Sequence, residues 1–542
     1  MNKRRIGYAI MVFSLILCFV IDSAMAGTLP RFEWPFGGVV VGGNPSNSQT
    51  GPSGNGNNGI GDDQDYTESE SESEVKPEDL EPVKPETKKV INDMTKAFNI
   101  LLERGTRKFY EGYPVDDTFL HWVNKECGEA VILDLAYRLY EGYDSTALWY
   151  YHTGNTMHVL WLQYCRDLQF ATYYLDNVKW LDCASDVVTL DFTGDINLAD
   201  DWHTMQAAAT KPNGIYDCIA PEITKELQSA DLSVINNEFV FSDRGEPLAG
   251  KAYTFKAKTS NVSMLELFGA DVANLANNHV FDFGADSLMD TIATLENAGI
   301  TTMGAGANIK EASAIQYFVA NGKKIALVTA TQIERYSNYT KEATETTPGV
   351  LKTKHPERYY AVIREAAANS DYVIANIHWG TEGRYNYAAD QMTLAKGFVD
   401  AGADVIIGGH PHRLQGVEYV ENVPVMFSLG NFWFSTGTLY TMIAQVQIDA
   451  AGEVAVRTIP CIQKDLTTSM LSVEESDAFY KFMADISKDV VIDKDGYFYN
   501  TAGGQNADMK DGNNYQSGMR YDTYNGGIDL EGRPIDIVGN LR

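Results

Sequence analysis

From Asp186 onward the sequence predicts a layered α/β domain. Three observations lead there. Short apolar runs of strand length alternate with helical stretches. Five of those runs end in a small polar cluster of Asn, Asp, Glu, His and Gly. The stretch before Asp186 differs: it carries aromatics and leucines at helical spacing and few β signals, so a small helical domain is expected ahead of the α/β part.

The 542 residues suffice for roughly two to four domains. With 44% hydrophobic and 21% charged residues, the chain can bury a core, which excludes a wholly disordered or collagen-like protein. The balance of 43 Lys+Arg against 73 Asp+Glu gives a net charge of −30. A nucleic-acid binder needs a basic face to release counterions, so that class is excluded, and adhesion to anionic lipid is disfavoured.

In chain order, Lys3, Arg4 and Arg5 precede an apolar run from Ile6 to Ile21, and Ala24-Met25-Ala26 follows. This pattern reads as a secretory signal peptide over 1–26, cleaved after Ala26. The 16-residue run is short of the roughly 20 residues a spanning helix needs; an uncleaved anchor is the alternative. Cys18 follows Leu15, Ile16 and Leu17, which lack the small residues of a lipoprotein signal. Cleavage removes three positive charges and Asp22, taking −30 to −32. A secreted or cell-surface protein is expected.

Residues 27–88 read as a disordered linker. Its first half is rich in Gly, Asn and Ser, and Gly61 to Glu86 carries eleven Asp/Glu against two Lys. Residues 89–185 form the expected helical domain, with Phe98, Leu101 and Leu102, then Ile132, Leu135, Ala136 and Leu139, then Val159, Leu162 and Tyr164 in helical register. His152 and His158 flank Thr153-Gly154-Asn155-Thr156, read as a helix cap rather than a ligand site. Five cysteines remain after cleavage (Cys127, Cys165, Cys183, Cys218, Cys461); no CxxC pair is present, and an odd count leaves at least one thiol.

The α/β domain is expected over 186–466. Its strands are Val187–Thr193, Leu232–Ile235, Val272–Ala276, Ile325–Thr329, Tyr372–Ile377, Val405–Ile407 and Val425–Leu429, with Met442–Ile448 and Val454–Ile459 as a closing pair. Helices are expected at Ala285–Ala298, stopped by Gly299, and Ala388–Ala401, stopped by Gly402. Residues 467–542 read as an extension with one weak helix and a loose tail from Gly503.

Ligands gather outside the carboxyl ends of strands in such sheets, and there the clusters lie: Gly194-Asp195-Ile196-Asn197, Asn236-Asn237-Glu238, Asn277-Asn278-His279 with Asp282, His378-Trp379-Gly380 with Glu382, and Gly408-Gly409-His410-Pro411-His412. Four of the nine histidines fall in them. This nitrogen and oxygen donor set suits a borderline or hard divalent ion, with manganese, zinc and iron not distinguished. A D-x-N or H-x-H pair on an extended segment points both side chains one way, and glycine before the histidines lets backbone approach an ion. Trp379, Trp433 and Phe434 read as core, with a sugar or polymer platform as the alternative.

The series of motifs FTGDINLAD (192–200), NNEFVFS (236–242), ANLANNHVFDFGADSLMDTIATLENAGI (273–300), IHWGTEG (377–383) and GADVIIGGHPHRLQGVEYVENVPVMFSLGNFWFS (402–435) resembles the CapA family of bacterial capsule and poly-γ-glutamate synthesis proteins. The resemblance implies the calcineurin-like metallophosphoesterase fold, a four-layer αββα sandwich. It implies Asp195, Asn197, Glu238, Asn278, His378, His410 and His412 as metal ligands for two ions, Glu238 standing where the superfamily has a bridging aspartate and Asn197 where many members have histidine. It implies His279 as general acid with Asp282 fixing its tautomer. Asn236, Glu382, Arg384 and Arg413 are candidate substrate contacts, the arginines by bidentate hydrogen bonds to an anion, with a plain surface role as their alternative. Three functions stay open: a metal-dependent hydrolase acting on a phosphoester or an anionic cell-envelope polymer, a non-catalytic capsule assembly factor that binds such a polymer or a synthase partner, and a structural or adhesive surface module. N-terminal sequencing of the protein from its native host is expected to begin near Gly27; an intact Met1 on membrane-bound protein would mean that the segment is an anchor.

Overall fold

The computed structural model describes residues 117–132, 135, 145–333 and 339–506, with two-residue strands at 515–516, 527–528 and 534–535. The expected leader and linker, and the apolar positions Phe98, Leu101, Leu102, Ala136 and Leu139, lie outside the described residues. Contacts divide the chain into two units. The described part of the first is the helix Asp117–Cys127 and the start of a second helical segment, with Phe119, Leu120, Trp122, Val123, Ile132 and Leu135 buried.

The second unit is a mixed α/β domain with two sheets. The seven-stranded sheet runs in the order Val178–Trp180, Gln316–Ala320, Lys323–Thr331, Tyr372–His378, Val405–Gly409, Val423–Leu429, Leu414–Val420. The eight-stranded sheet runs Thr467–Met470, Val454–Lys464, Leu439–Ile448, Val188–Ile196, Leu232–Asn237, Val272–Asn274, Thr301–Met303, with Asn431–Trp433 joined to Val188–Ile196. The central strands of each sheet are parallel. Their clusters therefore emerge at the same ends.

The two-residue period of a strand assigns each side chain to a layer. Leu190, Phe192, Val234 and Val272 of one sheet join Ile325, Leu327, Ile374 and Ile407 of the other in one apolar cluster. Their neighbours face outward: Ile235 and Ala273 pack with Leu288, Ile292 and Leu295 of the helix Ala285–Asn297. On the other sheet Val328, Val373 and Ile406 pack with Tyr359 and Ile363 of Glu357–Asn369 and with Leu394 and Phe398 of Ala389–Ala401. Trp379 and Trp433 are fully buried and Phe434 nearly so, in line with the core reading. The predicted glycine stops are both in the left-handed region, Gly299 at φ 84 and Gly402 at φ 108.

Within the two sheets, the strands Val178–Trp180, Thr301–Met303, Gln316–Ala320, Leu414–Val420, Asn431–Trp433 and Thr467–Met470 escaped the sequence reading, as did the helices Pro221–Ser229 and Glu357–Asn369. Residues 145–180, grouped above with the preceding helices, belong with the sheets. Val159 and Leu162 of the helix Met157–Asp167 pack on Val319, and Val178–Trp180 extends the seven-stranded sheet. Thr156 begins that helix, yet its hydroxyl donates to Asp371 Oδ2 at 2.6 Å instead of capping. The end of the domain also lies beyond 466. The helix Val473–Ile486 opens with a reciprocal Ser472–Glu475 capping box and buries Phe479, Phe482 and Met483 in the cluster shared by the sheets. The five cysteines are free thiols. Among the described residues no helix is long and apolar enough to cross a membrane.

A chain trimmed to 186–466 loses an edge strand, the cover of Val319 and the 473–486 helix. It is expected to melt without a cooperative transition by circular dichroism, whereas 145–506 melts as one unit. In the full chain, Phe479→Ala should lower the unfolding free energy by about 3–5 kcal/mol, read by urea denaturation.

Candidate metal centre

The ends of five strands meet at one buried point. Val188–Ile196 delivers Asp195 and Leu232–Asn237 runs directly into Glu238; both are fully buried. Tyr372–His378 ends on His378, and the turn after Val405–Gly409 carries His410 and His412. The turn after Val272–Asn274 carries Asn278 and His279.

Glu238, His378 and His410 form one group of converging ligand atoms, and Asp195, Glu238 and His412 a second. Glu238 is common to both. His378 Nε2 lies 2.8 Å from Asn278 Oδ1, 3.2 Å from His410 Nδ1 and 3.5 Å from Glu238 Oε1. One ring N–H can satisfy only one of these. Two ligands each about 2.1 Å from a tetrahedral ion sit roughly 3.4 Å apart, so the spacing is that of a coordination sphere. Glu238 Oε1 is buried and without a hydrogen-bond partner, with His412 Nε2 at 3.8 Å and His279 Nε2 at 4.0 Å besides His378. Burying an unpaired carboxylate oxygen is costly, and a divalent cation removes that cost. The donor set therefore fits one or two divalent ions of undetermined identity.

Asn236 holds the carboxylates in place. Its Nδ2 donates to Asp195 Oδ1 at 2.7 Å and Glu238 Oε2 at 3.3 Å, while its Oδ1 accepts from Asn274 and Asn277. It sits beneath the ligands, not in the place of a substrate contact. Asn197 is fully buried, and its Oδ1 accepts the Ala199 amide at 2.9 Å. That oxygen caps its own turn, so the D-x-N pair does not act as two converging ligands. The H-x-H pair departs from the expected extended form too. His410 has φ 96 and His412 φ 55, a conformation costing on the order of 1 kcal/mol or more for such residues. The strained turn splits the pair, His410 going to the first group and His412 to the second. Gly409 sits close to the ligands: a Cβ there would make a tight contact with Asp195 Oδ1 at 3.3 Å and an ordinary one with His378 Nδ1 at 3.6 Å. Gly408 is required by the backbone: its Cβ would strike the Phe427 carbonyl at 2.1 Å.

His279 joins neither group. Its Nδ1 is 2.8 Å from Asp282 Oδ2, which also accepts the Phe255 amide at 2.8 Å. The Lys251 ammonium holds the other Asp282 oxygen and the Asn278 carbonyl. Lys251 comes from a loop without a motif, so nothing local in the sequence marked it. Asn431 Oδ1, 2.8 Å from His412 Nδ1, was also missed, although it stands in the SLGN end of the longest motif. Glu382 and Arg384 are exposed outside this point. Arg413 is half-buried and donates to the His412 carbonyl at 2.7 Å, so it steadies its own loop.

Burial pushes the Glu238 carboxyl well above the usual range, and the charges of Asp195 and Glu382 add to this. Burial likewise lowers His378 to about 3, helped by His412, His279 and Lys251. Burial would raise Asp195 and lower His412, but their mutual hydrogen bond and charge outweigh it, and the two shift the opposite way. Burial, with Lys251, holds His279 below its ordinary value against the pull of Asp282.

A mixed α/β domain with this buried, two-group centre is a metal-binding domain with a calcineurin-like ligand pattern. Residues 189–436 match the family of bacterial capsule synthesis proteins PGA_cap. It is similar to the capsule biosynthesis protein CapA of Bacillus anthracis, 37% identical over 35% of this chain and 46% of that one. It is similar to the PGA biosynthesis protein CapA of Bacillus subtilis, 31% identical over 47% of this chain and 65% of the other. A probable polyglutamine synthesis accessory protein of Mycobacterium tuberculosis is 29% identical over 38% and 56%. The chain thus spans between about half and two thirds of the length of these relatives.

Metal binding must displace the proton that burial keeps on Glu238, so affinity should rise with pH until that proton is gone. The sign for stability follows. With its folded pKa above 4.5, Glu238 favours the folded metal-free protein fully below 4.5; that contribution is lost as pH rises through the folded value, and bound metal restores it. Calorimetric titration with Mn²⁺ in buffers of different ionisation enthalpy should show proton release in acid solution. Glu238→Gln should abolish both the release and most of the binding.

Proposed function

We propose that the chain is an exported protein of cell-envelope polymer metabolism whose centre holds two divalent ions and hydrolyses a bond in an anionic polymer of the poly-γ-glutamate type or a phosphoester. The observation that carries the reading is the sharing of Glu238 by two groups of ligands. The names of its relatives as capsule and PGA biosynthesis proteins support the polymer class. The two sheets, with a common core and helices on both outer faces, support a calcineurin-like metallophosphoesterase sandwich of four layers.

Asp195 and His412 would hold one ion, His378, His410 and Asn278 the other, and Glu238 both. Bound ions would polarise the substrate and stabilise negative charge as it develops. His279 is the proton-transfer residue: Asp282 fixes its Nδ1, leaving Nε2 directed to the ligand side, where a leaving group gains its proton. Lys251 anchors Asp282, and so the ring. Arg384, exposed outside the centre, would contact the anionic chain.

The purified protein should contain up to two metal equivalents by elemental analysis and act on one of a panel of phosphoesters and poly-γ-glutamate. His410→Ala should lower bound metal and activity together. His279→Ala should keep the metal and lose rate by roughly 10²–10⁴. Capsule or envelope output that survives His279→Ala but fails on His410→Ala would replace the hydrolase reading with metal-dependent binding, because a binding protein has no leaving group to protonate.

A further inference from the structure

The loop between Val240–Phe241 and Lys256–Ala257 carries both a buried support and an exposed ring. Several of its groups are tied to residues behind His279. The Leu248 amide donates to the Asp282 carbonyl at 2.9 Å, the Lys251 ammonium bonds Asp282 and the Asn278 carbonyl, and the Phe255 amide donates to Asp282 Oδ2 at 2.8 Å. Tyr339 Oη donates to the Gly250 carbonyl at 2.7 Å. Between Lys251 and Phe255, both tied to Asp282, stands Tyr253, which is 58% exposed.

A run of ring contacts links Tyr253 to the centre. The His279 ring packs on Phe255 with centroids 4.4 Å apart, Phe255 on Trp202 at 4.7 Å, and Trp202 meets Tyr253 edge-on at 6.1 Å. A second run goes from His412 to Phe434 at 4.5 Å and from Phe434 to Trp202 at 6.0 Å. Trp202 Nε1 donates to the Phe434 carbonyl at 2.7 Å, which fixes the indole. Phe255 and Phe434 are buried, Trp202 is half-buried, and Tyr253 ends the series in solvent.

A single exposed aromatic is ordinary on a protein surface. This one is held on both sides by the partner of His279, so its place relative to that imidazole is set. A ring already ordered loses little freedom when a ligand stacks on it, and loops pinned to a rigid scaffold are where binding residues stand. Where His279 protonates the leaving group, Tyr253 lies on the leaving-group side. The charges there select the ligand. The ammonium of Lys251 is spent on Asp282, and the exposed charges next to Trp202 in the chain are Asp200 and Asp201. A polymer with a carboxylate on every residue meets repulsion at those acids. A sugar ring brings no charge, and its C–H face, with partly positive hydrogens, suits the negative face of an aromatic ring.

We propose that Tyr253, backed by Trp202, is a stacking platform for a sugar ring in the leaving group, which makes the substrate a sugar phosphoester. The inference rests on the hydrolase reading above and narrows it.

Saturation-transfer NMR on the full chain, with glucose 1-phosphate, glycerol phosphate and oligo-γ-glutamate as probes, tests the platform without turnover. The ring C–H protons of glucose 1-phosphate should receive saturation from the wild type and from Tyr253→Phe, and lose it in Tyr253→Ala. With Mn²⁺ present, kcat/KM for glucose 1-phosphate relative to glycerol phosphate should fall by about 2–10-fold in Tyr253→Ala, through KM. The side chain is exposed, so a thermal melt like that of the wild type is expected for both variants. Glucose 1-phosphate that does not bind the wild type, or binds Tyr253→Ala equally well, overturns the proposal. Oligo-γ-glutamate binding that depends on Tyr253 while sugar binding does not overturns it in favour of the carboxylate polymer. A protein that turns over none of the probes yet binds glucose 1-phosphate through Tyr253 defeats the hydrolase reading and supports the platform.

Discussion

The structure is organised around the burial of one carboxylate. Glu238 is fully enclosed, and one of its oxygens faces three imidazole nitrogens at 3.5–4.0 Å without bonding any of them. An ionised carboxylate in such a place costs several kcal/mol when unpaired. Without a cation the site can lower this cost by protonating the acid while His378 stays neutral, and the shifts of Glu238 and His378 take that direction. A divalent ion reverses the balance, making the same burial favourable. Metal binding and the stability of this end of the domain are therefore one problem.

The strands solve it by their two-residue period. Val234, Val272, Leu327 and Ile374 sit in the apolar layer between the sheets. One step toward the carboxyl ends, the same faces carry Asn236, Asn274, Thr329 and Asn376, and pairing keeps them level: Asn236 opposite Asn274, Thr329 opposite Asn376. One step further come Glu238 and His378. An apolar residue in the middle layer would leave the ligand side chains free to turn. Asn236 instead holds two carboxylates with one amide, and glycine at 409 leaves room for Asp195 and His378 against the backbone.

Much of this was legible in the sequence wherever periodicity and punctuation coincide. The strand runs ending in clusters, the helices stopped by Gly299 and Gly402, and the polar residues at the carboxyl ends all follow from local pattern. Val178–Trp180 was not legible, because it is a three-residue strand whose partner Gln316–Ala320 is distant in sequence; Gln316–Ala320 itself forms a tight hairpin with Lys323–Thr331 across Asn321-Gly322, a turn signal the local pattern did carry. The helix Val473–Ile486 looked weak because its four buried aromatic and sulphur side chains, Phe479, Tyr480, Phe482 and Met483, gain their packing only from the assembled sheets. At the site, residue types were legible but their division of labour was not. Asn197 and Asn236 match ligand spacing. Only in three dimensions does the oxygen of one cap its own turn and the amide of the other brace the carboxylates. His410 and His412 look like a pair on an extended segment, and positive φ at both sends them to different groups. Lys251 is invisible from its neighbours because its partners Asp282 and Asn278 come from another loop.

The arrangement around His279 bears on why this centre has more than its ligands require. Neither three-residue group includes His279. Its ring is nevertheless buried, packed on Phe255 with centroids 4.4 Å apart, and fixed through Nδ1 by Asp282. Asp282 is itself fully buried and engaged by Lys251 and the Phe255 amide. Burying an ion pair to orient a third residue adds little net stability, since desolvation consumes most of the Coulombic gain. A site that only retained metal would be as stable with an apolar residue at 279 and no charges behind it. An oriented imidazole with one nitrogen committed and the other directed at the ligand side is what proton transfer requires. The charged support behind His279 thus favours the hydrolytic reading over metal-dependent binding on grounds independent of the metal ligands themselves.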